Sequence, residues 1–233
     1  MGKIRIISRN AVSFQDRQEA GRLLGYELVE FRDKHAVILG IPRGGIIVAR
    51  EIARELGAEM DIVISRKLRT PGQSELAMGA IAEDGKVFLN DAVILDLDVD
   101  RTLVEREASI QSEEIARRSS LIRKIYSKIP LNSRIVIITD DGVATGATTQ
   151  AAIWAVNQEK PQYVIAAIPV GAEETIKRLS QDVDEIVCLC TPPFFAAVGQ
   201  FYRNFEQVED EEMIKILEAE QKSRNIIDEC HRQ

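Results

Sequence analysis

A chain of 233 residues is long enough to bury one sizeable core, and no Gly/Ser tract, Pro-rich run or repeat divides it, so one domain with appendages is expected. The formal net charge of −7 argues against tracking a nucleic-acid backbone, yet leaves room for a small basic pocket around one phosphorylated metabolite. No secretory segment and no long apolar run occur, which predicts a cytoplasmic protein without a membrane partner, and the Met1-Gly2 start lacks the Ser or Thr that myristoylation favours.

Ala36-Val37-Ile38-Leu39-Gly40 is short, branched and apolar, and predicts a buried strand. It ends in Ile41-Pro42-Arg43-Gly44-Gly45. Ile47, Val48, Ile52 and Leu56 then recur at helical spacing, with Gly57 placed to stop the helix. A second strand is predicted at Asp61-Ile62-Val63-Ile64-Ser65, and such short connections imply parallel pairing with a right-handed crossover. Residues 66–90 interrupt the pattern: a mobile loop around Pro71-Gly72-Gln73-Ser74 precedes a hairpin turning at Asp84-Gly85. Residues 100–126 are strongly charged. The sparse stripe Leu103, Ile110, Ile115 and Leu121 predicts a long surface helix, packed along the sheet or against another subunit.

The same grammar then returns, with strands expected over 134–139, 163–170 and 185–190 and helices over 148–157 and 173–179. Five strands with intervening helices predict an α/β fold, a mostly parallel five-stranded sheet with helices on both faces. The domain is expected over 1–215, with a helical or disordered tail over 216–233. Cys188, Cys190 and Cys230 form an odd, sparse set and read as buried thiols; Cys188 and Cys190 should share a sheet face. With only His35 and His231, a His-rich metal centre or a Ser-His-Asp hydrolase is hard to build.

The segment that carries chemistry follows the strand 135–139. Two acids, Asp140 and Asp141, lead into a small-residue turn and then a helix. In open α/β sheets ligands bind beyond the carboxyl ends of strands. The turn Ala144-Thr145-Gly146-Ala147-Thr148 has no bulky side chain, so its backbone N–H groups can close on a phosphate at the positive end of the helix. Thr145 and Thr148 can add hydroxyl donors. The acids cannot bind that phosphate, since like charges repel, and are better explained as acceptors for vicinal sugar hydroxyls. Neither a Gly-Lys-Ser/Thr phosphate loop nor a dinucleotide turn occurs.

Val136 to Thr148, thirteen consecutive positions ending in Asp140-Asp141-Gly142-Val143-Ala144-Thr145-Gly146-Ala147-Thr148, resembles the 5-phosphoribosyl 1-pyrophosphate signature of type I phosphoribosyltransferases. That resemblance implies that the second half cradles the 5′-phosphate and that the two acids face the ribose hydroxyls. Pro42-Arg43-Gly44-Gly45 resembles the family's pyrophosphate loop, in which a non-proline cis bond is common, here Pro42–Arg43. Ser65-Arg66-Lys67-Leu68-Arg69 matches the position of the family's flexible, basic lid, in which Glu75 is a candidate partner for the incoming nucleophile. Asp16-Arg17-Gln18-Glu19-Ala20-Gly21 and Phe195-Ala196-Ala197-Val198-Gly199 resemble a bacterial and archaeal branch described as predicted phosphoribosyltransferases. The likeness thins across the charged helix and is absent from 216–233.

The resemblance implies transfer of ribose 5-phosphate to a nucleobase or similar nitrogen acceptor with release of pyrophosphate. Mg²⁺ would be held mainly by the diphosphate, with no direct protein ligands. Arg43, Lys67, Asp141 and Glu75 are the candidate catalytic residues. Family members acting on 6-oxopurines carry an acid where Ala144 stands, which leaves other acceptors open. A hood over the acceptor is expected from the chain ends, with Phe194, Phe195 and Tyr202 as candidate walls; the same aromatics, with Phe201 and Phe205, could instead form a satellite core. The partners expected are the activated sugar, a small-molecule acceptor and a second copy in a homodimer or higher homo-oligomer. A non-catalytic regulator that binds the same sugar is the alternative; it could lose the pyrophosphate loop and lid, both of which this sequence retains.

Overall fold

The computed structural model describes residues 1–70, 73–97 and 99–230, and within these the side chains of 73–76, 92 and 226–230 lie outside the description. Alternating Ile4 and Ile6 place strand β1 (Lys3–Ser8) at a sheet edge, and helix α1 (Arg17–Glu27) follows behind an Asp16 cap whose side chain accepts from the Glu19 N–H. Strand β2 (Val37–Gly40), helix α2 (Gly45–Leu56) and strand β3 (Glu59–Ile62) form the first crossover unit, and Gly57 ends α2 in the left-handed conformation at φ 59°.

Strands β4 (Ser65–Thr70), β5 (Gln73–Ala82) and β6 (Val87–Leu89) make a separate antiparallel sheet, followed by helices α3 (Asp91–Asp96) and α4 (Arg101–Ile122). The remainder alternates: β7 (Ile135–Thr139), α5 (Ala147–Asn157), β8 (Tyr163–Val170), α6 (Glu173–Leu179), β9 (Glu185–Cys190) and a last helix α7 (Asp210–Cys230).

The main sheet is wholly parallel, in the order β1-β9-β8-β7-β2-β3. It has six strands rather than the five expected. The sixth is β1, whose short polar-apolar alternation is hard to tell from a loop, because an edge strand needs only half of its residues buried. Successive residues of the inner strands feed opposite faces. Ile38, Ile137 and Val187 join α1, α2 and α7 on one side, while Leu39, Ile138 and Ile186 join α5 and α6 on the other. A sheet covered on both faces requires this run of apolar residues without alternation.

Other expectations shift as well. The strand expected at 61–65 lies at 59–62, and Ser65 already belongs to β4. Of the stretch expected as a mobile loop, Pro71 and Gly72 lie outside the described residues; on either side of them Ser65 to Thr70 runs antiparallel to β5, and Ala77 and Ala80 pack beside Trp154 of α5. On α4 the buried face is Val104, Gln111, Ile115 and Ile122, so Leu103, Ile110 and Leu121 form an exposed row about 100° away. Cys188 and Cys190 are both buried, and they pack in different apolar clusters. The boundary expected at 215/216 falls inside α7, which sets Met213, Ile216 and Leu217 into the main core.

Candidate functional site

β2 feeds α2 and β3 toward one edge of the sheet, whereas its neighbour β7 feeds α5 and β8 toward the other, and the two helices leave on opposite faces. The carboxyl ends of β2 and β7 therefore border the crevice where α/β sheets bind ligands. The two loops singled out by sequence, 42–45 and 140–148, follow these two strands.

They pack directly on each other. The Ile41 N–H donates to the Thr139 carbonyl at 2.9 Å. A Cβ on Gly45 would lie 2.8 Å from both Asp140 Cα and the Thr139 carbonyl oxygen, and one on Gly44 would collide with the Asp141 carboxylate. These glycines are needed first to bring the loops together, a reason the sequence did not reveal. The Pro42–Arg43 peptide bond is cis.

The turn after Asp141 is pinned from behind. Val143 N–H donates to the Val170 carbonyl at 2.8 Å, Thr175 Oγ1 donates to the Ala144 carbonyl at 2.7 Å, and Arg178 donates to the Thr145 carbonyl. In a trans peptide the N–H points opposite its carbonyl, so the Thr145 and Gly146 amides face away from α6. Gly146, at φ 75°, makes the left-handed turn that starts α5, while Ala144, Thr145 and Thr148 are exposed and Ala147 is buried. The arrangement leaves oriented amides, two hydroxyl-bearing side chains and a helix N-terminus at one place, the chemistry of an anion site.

The acids are unlike each other. Asp141 is held by Arg17, whose Nε lies 2.8 Å from Oδ2; the two side chains are 16% and 10% exposed. Arg17 also donates to the Glu206 carbonyl at 2.8 Å and lies over the Phe205 ring at 3.9 Å. Burial and the neighbouring Asp141 charge push the Asp140 carboxyl well above its usual range, although its Oδ1 accepts from the Asp141 N–H at 2.9 Å. Tyr202 completes the set by donating its hydroxyl to the Asp141 carbonyl at 2.5 Å, and burial raises that phenol.

Of the predicted cations, half-buried Arg43 extends to the start of α7, 3.7 Å from Asp210 and 3.9 Å from Glu209, both well exposed. Such contacts are weak and displaceable. Arg66 and Lys67 on β4 line a cavity of about 180 Å³ together with Pro42 and Thr148. Arg66 also meets Glu114 of α4 at 3.0 Å. Glu75 falls in β5, and its side chain lies outside the described residues.

The aromatic group divides. Phe194 is 86% exposed, whereas Phe195 packs on Phe201 at 5.2 Å. Tyr202 is buried between Phe14 at 5.3 Å and Phe205 at 5.0 Å. Residues 201–204 zip onto 14–15 through the Phe14 N–H to the Phe201 carbonyl and the Arg203 N–H to the Phe14 carbonyl. This is the satellite arrangement pinning the two chain ends, with Phe194 left as an open face.

The sequence model of the phosphoribosyl transferase domain matches residues 15–206, which takes in both loops, the β4–β5 hairpin and the Arg17–Asp141 pair. The chain belongs to the phosphoribosyl transferase family. A Mycobacterium tuberculosis protein named as a phosphoribosyl transferase, found in two strains, is 43% identical over 205 residues, or 88% of this chain. The chain spans about half the length of those relatives, 46%. The crystal structure of TT1426 from Thermus thermophilus is 40% identical with a TM-score of 0.84, covering 89% of this chain and 99% of that one.

Within this phosphoribosyl transferase frame, sequence reasoning missed Arg17 as a site residue, the backbone-holding role of Tyr202, and the α4 residues Gln111 and Arg118 at the cavity. Arg17 lies in the segment Asp16-Arg17-Gln18-Glu19-Ala20-Gly21, yet nothing in its spacing points to Asp141, 124 residues away.

Proposed function

We propose that the chain binds 5-phosphoribosyl 1-pyrophosphate across the β2–β7 crevice and transfers its ribose 5-phosphate to a nitrogen acceptor, releasing pyrophosphate. The observation that carries this reading is the direct packing of loop 42–45 on Asp140 and Asp141, beside a cavity lined by Arg66 and Lys67. One loop then offers amides, Thr145 and Thr148 to the 5′-phosphate, and the acids accept from the ribose hydroxyls. The other loop and the β4 cations face the diphosphate.

In the reaction the bond from C1 to the diphosphate oxygen breaks, its electron pair leaves with pyrophosphate, and the acceptor nitrogen supplies the pair for the new bond. Negative charge grows on the leaving group as positive charge grows on the sugar ring. Arg43, Arg66 and Lys67 stabilise the first, Arg43 after giving up its weak contacts to Glu209 and Asp210. A rigid Asp141, held by Arg17 and Tyr202, orients the sugar. Closure of the hairpin over the diphosphate excludes water. Glu75 stays the proposed partner of the nucleophile on its sequence position alone.

Among the described residues no three or more His, Cys, Asp or Glu side chains converge to hold a metal. We propose a Mg²⁺ that arrives on the diphosphate oxygens of the activated sugar. When bound, it would neutralise the diphosphate. Ala144 is exposed and offers no proton acceptor, so we infer an acceptor other than a 6-oxopurine, approached from the side of Phe194 and Phe195. The exposed row Leu103, Ile110 and Leu121 supports a homo-oligomer. Among the described residues no helix is long and apolar enough to cross a membrane.

Pyrophosphate release from the activated sugar with Mg²⁺, across a panel of nucleobases and small amines, tests the transferase. Release with one acceptor is expected. Tight sugar binding without turnover for every acceptor would instead favour the regulator.

A further inference from the structure

Gln111, Ile115 and Arg118 recur at i, i+4 and i+7, so they share one face of α4. That face turns toward β4 and forms a wall of the cavity of about 180 Å³ whose other boundaries include Pro42 and Thr148. Pro42 belongs to the loop after β2 and Thr148 to the first turn of α5, so the cavity adjoins the crevice at both loops. Its apolar lining includes Val63 and Ile64, which follow β3.

Four basic side chains line it: Arg66, Lys67 and Arg69 from β4, and Arg118 from α4. Two acids of α4 stand nearby. Glu114 meets both Arg66 at 3.0 Å and Arg117 at 2.9 Å, while Glu107 accepts from Gln111 at 3.0 Å. These acids answer to Arg66, Arg117 and Gln111, and neither pairs with Arg118. Arg118 is half-buried and makes no ion pair or side-chain hydrogen bond among the described residues. A folded chain that gathers like charges around a hollow, one of them partly desolvated and unpaired, bears a repulsion that an anion in the hollow removes.

We propose that Arg118 is a further residue of this active site, contacting the diphosphate leaving group from α4 together with the β4 cations. This rests on the transferase reading above and adds to it an element outside both signature loops. A diphosphate suits the hollow in size and charge. The guanidinium can grip two of its oxygens at once, where a lysine in the same place would act as a point charge.

Two probes separate this claim from the transferase reading: inorganic pyrophosphate and ribose 5-phosphate, each titrated calorimetrically into wild type, Arg118→Gln and Arg118→Lys. Arg118→Gln should lose at least about tenfold in pyrophosphate affinity, and Arg118→Lys should recover part of it. Ribose 5-phosphate affinity should stay within about twofold in all three, and the ligand-free melting temperature of Arg118→Gln should not fall, since a repelling charge has been removed. Equal pyrophosphate affinity in wild type and Arg118→Gln would overturn the proposal. So would a lower melting temperature with both ligands weakened alike, which marks a structural residue. Wild type that binds ribose 5-phosphate but not pyrophosphate overturns it while leaving the sugar site standing. Arg118-dependent pyrophosphate binding without ribose 5-phosphate binding upholds the cavity and removes the transferase reading.

Discussion

At Asp141 both polar ends are engaged, the carboxylate by Arg17 and the carbonyl by Tyr202. A carboxylate held in this way needs no reorganisation to accept a ribose hydroxyl. Removing its partner leaves a largely buried charge uncompensated, which is the costly way to break an ion pair. Arg17→Met should therefore lower unfolding stability by roughly 2–4 kcal/mol in urea titration and weaken ribose 5-phosphate binding. Arg17→Lys should rescue only in part, because one ammonium cannot serve Asp141, the Glu206 carbonyl and the Phe205 face together. A loss under about 0.5 kcal/mol for Arg17→Met would show that the pair is not what holds the loop. Asp140 predicts a pH effect of definite sign. Its carboxyl is raised by burial and by Asp141, so above the ordinary value of 3.8 the folded state binds more protons than the unfolded one, and stability falls as pH rises from there. Asp140→Asn should raise the melting temperature at pH 7, with the gain vanishing near pH ~3. An equal gain at both pH values would remove titration as its cause.

At the scale of elements, one largely buried guanidinium joins three parts of the chain. Arg123, just past α4, reaches Asp61 of β3 at 2.7 Å and Glu83 after β5 at 2.6 Å, and Ser119 donates to the same Glu83 at 2.6 Å. Burial acts against the Glu83 carboxylate, yet the bonds from Arg123 and Ser119 hold it below its usual range. The antiparallel sheet and α4 are thus anchored to the main sheet at the root of the hairpin. Arg123→Met should cost about 3–5 kcal/mol and speed hydrogen exchange across β4 and β5 ahead of β7. Uniform exchange across both sheets would mean that the anchor is not local. Elements with their own periodicity are legible in the sequence: β2, α2, β7, α5, β8, α6 and β9 fall within about two residues of expectation, and β3 is displaced by a similar amount. The β5–β6 hairpin turning at Asp84-Gly85 is legible too, whereas the β4 arm is not. Ser65 to Thr70 carries three cations and lacks a strand-like apolar run, and it pairs because Leu68 and Thr70 bury between β5 and the rest. The α4 stripe fails for a related reason: its buried face includes Gln111, a polar residue that an apolar pattern passes over.

For the whole molecule, the site forms where separate stretches of chain converge, and its legibility divides accordingly. The segment from Asp140 to Thr148 is readable because strand, acids, turn and helix are consecutive and each does its work beside its neighbours. The placements of Arg17 and Arg118 are not, because Arg17 meets Asp141 and Arg118 reaches the cavity only once distant parts of the chain have folded together. Everything proposed for the chain turns on whether the β2–β7 crevice binds the activated sugar. Calorimetric titration of 5-phosphoribosyl 1-pyrophosphate with Mg²⁺ into wild type, Asp141→Asn and Thr145→Ala tests it most directly. Saturable one-to-one binding by wild type is expected, with at least about tenfold weaker binding by each variant and folding intact by circular dichroism. Affinity unchanged in both variants, or no binding by wild type, would contradict it.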